Sequence, residues 1–277
     1  MLNSKRLAVA RRRRGYTKKE LANRIKVEPR TITGYEAGEY QCTEEVLAAL
    51  ARALGFSEQF LTGDDIDMPG VESVSFRALT KLAARDRDRA LAAASFAYVL
   101  SEWVDARFSL PKPDLLDLRG EDPETAAITA RQHWGLGVRP IGNMIHLLEA
   151  KGVRVFRLAE DTQDLDAFSL WKGLRPYIFL NTKKTSERSR FDAAHELGHL
   201  ILHKHASPNG QDAEKEADRF ASAFLMPRDA LLPIGRISDL EPCFRIKAKC
   251  GVSLSAAIYR AHDIGLMTRW NYQTLLR

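Results

Sequence analysis

The sequence predicts a mainly α protein with one small β-sheet, an α+β chain built in three segments. Three observations carry this. Residues 1–63 break into five short apolar-periodic stretches with start and stop signals. Residues 64–121 hold an acidic linker followed by one long helical stretch. Residues 122–277 place three short strands ahead of a helix-rich remainder.

The 277 residues give room for two domains with proper cores. A hydrophobic content of 45% and a charged content of 28% are ordinary for a globular chain. No apolar run approaches the roughly 20 residues of a membrane span, and the N-terminus lacks a signal-peptide h-region. Three cysteines, Cys42, Cys243 and Cys250, show no CxxC spacing, so a reduced, cytoplasmic protein without disulfides is expected. Of the net charge of +6, residues 1–63 contribute +5 (12 Lys and Arg against 7 Glu). A basic module beside a near-neutral partner is the footprint of nucleic-acid binding, against the plainer reading of a solvated basic face.

Within residues 1–63, Asn3 or Ser4 can cap the first helix, which Gly15 ends. Thr17 and Glu20 form a capping box for the second. "KVE" is a tight turn, Pro29 suits the first turn of the third helix, and Gly38 stops it with Ile32 and Tyr35 inward. Helices "TEEVLAALARALG" and "SEQFLTG" follow. Two short helices joined by a three-residue turn make a helix-turn-helix. The stretch resembles the lambda-repressor/Cro (XRE) family over its whole length, with Glu20, Leu21, Ala22, Ile32, Glu36 and Gly38 at family positions. The resemblance implies double-stranded DNA as partner, with Arg30, Thr31 and Thr33 near bases or adjacent phosphates and Lys18, Lys19 and Arg13 on the backbone. Pro29 and Gly34 depart from the pattern, because neither reads a base edge. A protein-contact role for this domain is the competing reading. The fold analogy also makes a homodimer an expectation.

"GDDIDMPG", residues 63–70, reads as a linker. The helical stretch after it carries an apolar stripe of Leu79, Leu82, Ala83, Leu91, Phe96, Val99, Leu100, Trp103 and Phe108. Its "RDRDR" reads as a solvated turn or helix face. Beyond 122, two helices precede the strands "VRVFRLA", "LDAFSLWKG" and "RPYIFLN".

"RFDAAHELGHLILH", capped by Thr185 or Ser186, holds the chemistry. Residues i and i+4 share a helix face, so His195 and His199 can bind one ion through nitrogens at about 2.0–2.1 Å. Glu196, one step round, can take a proton from an attacking water and pass it to a leaving amine. Gly198 points to close approach by another element. Downstream, "QDAEKEADRFASAFLMP" offers Glu214 as third ligand, with Asp218 one turn on to hold the outer N–H of His195. The plainer reading of this pair is an acidic helix surface. Glu216, about 200° round the helix from Glu214, is expected at solvent. His203, another turn along, reads as a packed or hydrogen-bonding residue rather than a transition-state donor; His205 is a weaker candidate still. A His₂Glu set with one open position suits Zn²⁺ best, with manganese or iron as alternatives. Cys243 and Cys250 read as small buried hydrophobes.

"SLWKGLRPYIFLN", "RSRFDAAHELGHLILH" and "EKEADRFASAFLMP" together resemble the ImmA/IrrE family of bacterial and phage metallopeptidases, across roughly 122–277. The resemblance implies three segments: an XRE/Cro helix-turn-helix domain (1–63), a connector (64–121) and a zincin-like, gluzincin-type peptidase domain (122–277). It implies ligands His195, His199 and Glu214 and general base Glu196. It further implies an endopeptidase that cleaves a repressor-type protein in response to DNA damage, phage or other stress. The expected substrate path is an added strand along an exposed edge, with "RPYIFLN" as the candidate. Tyr177, Arg190 and His203 are candidate oxyanion donors. The competing function is a DNA-binding transcriptional regulator, antitoxin-like, whose peptidase fold acts as a sensor.

Overall fold

A computed structural model describes residues 1–70, 82–158, 166–181, 183–203 and 210–276. Leu79 and His205 lie outside the described residues. The described chain forms two compact units, one from residues 1–70 and 82–109, the other from residues 110–276. It is mostly helical with one three-stranded sheet.

In the first unit, α1 (Ser4–Arg13), α2 (Lys18–Ile25), α3 (Pro29–Ala37), α4 (Glu44–Leu54) and α5 (Glu58–Thr62) are the five expected helices. Asn3 caps α1, accepting from the amides of Lys5 and Arg6. The Thr17–Glu20 capping box forms in full, and Pro29 occupies the first turn of α3. Gly38 and Gly55 end α3 and α4 at positive φ, where a side chain would be strained. Leu7, Leu21, Ile32, Leu50, Leu54 and Leu61 are wholly buried between them. Arg11, in the basic run "RRRR", is a core residue: it grips Glu36 through two hydrogen bonds of 2.5 and 2.9 Å and ties α1 to α3.

A sixth helix, α6 (Ala84–Asp105), packs on α1. The expected stripe holds at Leu82, Leu91 and Phe96 and fails beyond them. Ala90, Leu91, Ala92, Ala94, Ser95, Ala97 and Tyr98 turn inward, whereas Val99, Leu100, Trp103 and Phe108 are exposed. Small alanines let the helix backbones approach closely, and Phe96 stacks on Phe56 and Phe60 at 5.4 Å. "RDRDR" is engaged as well, with Arg85 3.8 Å from Glu20 and Asp88 3.8 Å from Arg12. The acidic linker is fastened to α1: Asp65 pairs with Lys5, and Ile66 is buried against Val9 and Ala92.

The second unit begins with α7 (Pro123–His133) and α8 (Met144–Ala150), capped by Asp122 and Asn143. The sheet follows, with strands β1 (Arg154–Leu158), β2 (Ala167–Lys172) and β3 (Arg175–Asn181). Their order is β1-β3-β2, with β3 parallel to β1 and antiparallel to β2. "RPYIFLN" is therefore the central strand, hydrogen-bonded on both sides, and cannot be the exposed edge that the sequence suggested. Its apolar residues bury on both faces, which is the pattern of an interior strand.

Helices α9 (Ser186–Leu202) and α10 (Gly210–Leu225) come next, then α11 (Arg228–Leu231), α12 (Glu241–Cys250), α13 (Leu254–Asp263) and α14 (Arg269–Leu275). One core joins them, with Leu197, Ile201, Phe220, Phe224, Ile178 and Leu148 at its centre. Cys243 and Cys250 are buried in it. Two buried guanidiniums brace the packing. Arg131 donates to the carbonyls of Gly137, Phe224 and Arg139, and Arg260 holds Glu124 through two bonds and donates to the Met226 carbonyl.

Candidate metal centre and helix-turn-helix face

Helix α9 starts at Thr185, whose hydroxyl accepts from the Arg188 amide. Its inner face, with Ala193, Ala194, Leu197, Leu200 and Ile201, packs against the sheet and α10. Gly198 sits where α10 crosses: a Cβ there would lie 3.1 Å from Phe220 Cδ1 and 3.3 Å from the Ala217 Cα. The missing side chain brings the two helices together. That approach sets Glu214 opposite the two histidines.

The Nε2 atoms of His195 and His199 are 3.0 Å apart. Glu214 places its carboxylate 3.3 Å from His199 Nε2 and 3.8 Å from His195 Nε2. Among the described residues these three form a cluster able to hold a metal ion, with ligand atoms within 4.8 Å of one another. Ligands at 2.0–2.1 Å round a tetrahedral ion stand about 3.3 Å apart, so the observed spacings fit zinc. Asp218 meets His195 Nδ1 at 2.9 Å, as the spacing on α10 predicts. Burial pushes the His195 pKa down, but the Asp218 bond and the charges of Glu196, Asp218 and Glu214 outweigh it and bring it up to about 9.

Glu196 is 3% exposed, and its Oε2 meets no hydrogen-bond partner among the described residues. A buried carboxylate oxygen in that state is one the fold has not engaged in its own packing. One turn back, Asp192 also leaves Oδ2 without a hydrogen-bond partner among the described residues. Burial pushes the Asp192 carboxyl up to about 6, the Glu196 charge adds to the rise, and Arg188 opposes it. The sequence reading passed over Asp192, because acidity alone does not distinguish it from a surface residue.

Glu216 does not simply face solvent. Its carboxylate lies 2.8 Å from His203 Nε2, and His203 Nδ1 lies 3.0 Å from His199 Nδ1. Two other candidates are committed elsewhere. Arg190 donates to the carbonyls of Ile141 and Gly142 and lines a cavity of about 460 Å³ with Asn143, Ser186, Glu187 and Lys247; none of the metal-cluster residues lines it. Tyr177 is buried in the central strand, 1% exposed.

On the helix-turn-helix, Lys19, Arg30 and Thr33 are exposed, while Lys18 and Thr31 are half-buried. Lys18 lies 3.7 Å from the Glu36 carboxylate, and the Thr33 hydroxyl donates to the Pro29 carbonyl. Gly34 is explained by Tyr40, which the sequence reading did not single out. A Cβ at 34 would fall within 2.3 Å of the Tyr40 ring, whose hydroxyl donates to the Arg30 carbonyl. A glycine inside a helix is the sequence signal for such a close approach.

Comparison with known proteins matches residues 148–262 to an IrrE N-terminal-like domain and residues 4–60 to a helix-turn-helix domain. "Putative multi-protein-binding factor 1" of Yarrowia lipolytica is 39% identical over 59 residues, 21% of this chain and 37% of that protein. The chain thus spans little more than a third of the curated relative it matches.

Proposed function

From a chain that joins a helix-turn-helix domain to an ImmA/IrrE-family domain, we propose a zinc-dependent endopeptidase that cleaves a repressor-type regulatory protein. Stress such as DNA damage or phage is the proposed trigger, the cytoplasm the proposed location, and double-stranded DNA the proposed second partner. In this proposal residues 1–63 recognise, 64–121 connect and 122–277 cut. The observation that carries the reading is the convergence of His195, His199 and Glu214 beside the buried, unsatisfied Glu196.

His195, His199 and Glu214 would hold the ion, with Asp218 orienting His195. Bound zinc supplies Lewis acidity that polarises the scissile carbonyl and makes the attacking water more acidic. Glu196 takes the proton from that water and delivers it to the leaving amine. The substrate segment adds to β2, an edge of the described sheet that runs along α9: the Ser169 hydroxyl donates to the Glu196 carbonyl at 3.4 Å and the Trp171 indole to the Leu200 carbonyl at 3.3 Å. Strand addition satisfies the substrate backbone and sets the scissile bond across the cluster.

Glu196→Gln tests the reading. Zinc content should be retained, while cleavage of the co-expressed repressor falls by at least about 100-fold. Unchanged biological output from the variant would instead favour the regulator whose peptidase fold only senses.

A further inference from the structure

The two histidines of the cluster are each tied back to α10, but in different ways. His195 reaches Asp218 directly through Nδ1. His199 Nδ1 instead faces His203 Nδ1 at 3.0 Å, and His203 passes the contact to Glu216 at 2.8 Å. We propose that His203 and Glu216 form a positioning relay that holds His199 Nε2 on the metal, a longer counterpart of the Asp218–His195 contact. The inference rests on the zinc reading above.

The chemistry requires a direction. When His199 offers its Nε2 lone pair to an ion, its ring proton sits on Nδ1, so Nδ1 donates. His203 Nδ1 must then accept, which puts the His203 proton on Nε2, where it donates to Glu216. Each ring takes one tautomer, and the carboxylate at the far end fixes both. Geometry supports the assignment. His203 is the C-cap of α9, held by its amide to the His199 carbonyl at 3.0 Å, and its side chain is 8% exposed. Glu216 stands 46% exposed at the rim, so closing the relay there costs little desolvation. Helix α10 therefore serves the cluster three times, with Glu214 as ligand, Asp218 behind one histidine and Glu216 behind the other.

The readout is zinc affinity of the full-length protein, by chelator competition, with the cobalt-substituted visible spectrum as a second signal. Outer partners of ligating histidines change metal affinity by 10–100-fold. His203→Ala and Glu216→Ala should each weaken zinc by about tenfold or more, and the double variant should lose no more than His203→Ala alone. His203→Gln, which offers an acceptor and a donor at similar spacing, should recover much of the loss and restore the cobalt spectrum. Asp212→Ala, also acidic and also on α10 but paired with Lys215, serves as the charge control. Glu216→Ala removes a rim side chain and keeps the fold, so the test survives if His203→Ala unfolds. Glu216→Ala matching Asp212→Ala in affinity would overturn the relay while leaving the zinc reading intact. Absence of zinc from the wild type would overturn both.

Discussion

At the scale of single residues, two carboxylates on α9, Glu196 and Asp192, each keep a buried oxygen without a hydrogen-bond partner among the described residues. Asp192 is the clearest case for a stability test. Its folded pKa of about 6 lies above the ordinary 3.8, so between those values the folded form binds more protons than the unfolded one. The contribution of Asp192 to stability is therefore least unfavourable in acid and worsens as pH rises through that window, with the full deficit above about pH 6. Asp192→Asn removes the charge. It should stabilise the protein at pH 8 by at most about 3 kcal/mol and leave it unchanged near pH 4, by urea unfolding. A variant equal to wild type at both pH values would contradict the burial argument. The convergence of His195, His199 and Glu214 was legible in the sequence, since i, i+4 spacing on one helix and an acid on the next bring such groups together. Asp192 and the His203–Glu216 contact were not, because they depend on how far α9 is sunk and how α10 is rotated against it.

At the scale of elements, the helix crossing at Gly198 places Glu214. Gly198→Val would drive two methyl groups toward Phe220 and the Ala217 backbone. The expected cost is about 1–3 kcal/mol, from overpacking, with weaker zinc retention because α10 is pushed outward. Thermal unfolding and zinc content of the purified variant check this together; wild-type values in both would show that the crossing does not set the site. Close approach at Gly198 could be read from a glycine inside a helical pattern, and the caps at Asn3, Thr17 and Thr185 from their place ahead of one. Strand order could not: the three strands were legible, but which one lies between the others depends on long-range pairing that period-2 patterning does not encode. The C-terminal half of the α6 stripe was misjudged for a related reason. Apolar periodicity points to large side chains, whereas the packed face uses alanines that approach α1 closely.

At the scale of the whole molecule, charge and chemistry are divided along the chain. The basic excess lies in the first 63 residues, although Arg11 and Arg14 spend their charge internally, on Glu36 and on the Leu54 and Gly55 carbonyls. Among the described residues no helix is long and apolar enough to cross a membrane. The central claim is that the cluster on α9 and α10 binds zinc, and the most direct measurement is metal per chain in protein purified without added metal, wild type beside His199→Ala. About one zinc in the wild type and a small fraction of that in the variant are expected. A folded wild type without zinc that cannot be reloaded would contradict it and leave a helix-turn-helix regulator on an inert peptidase fold.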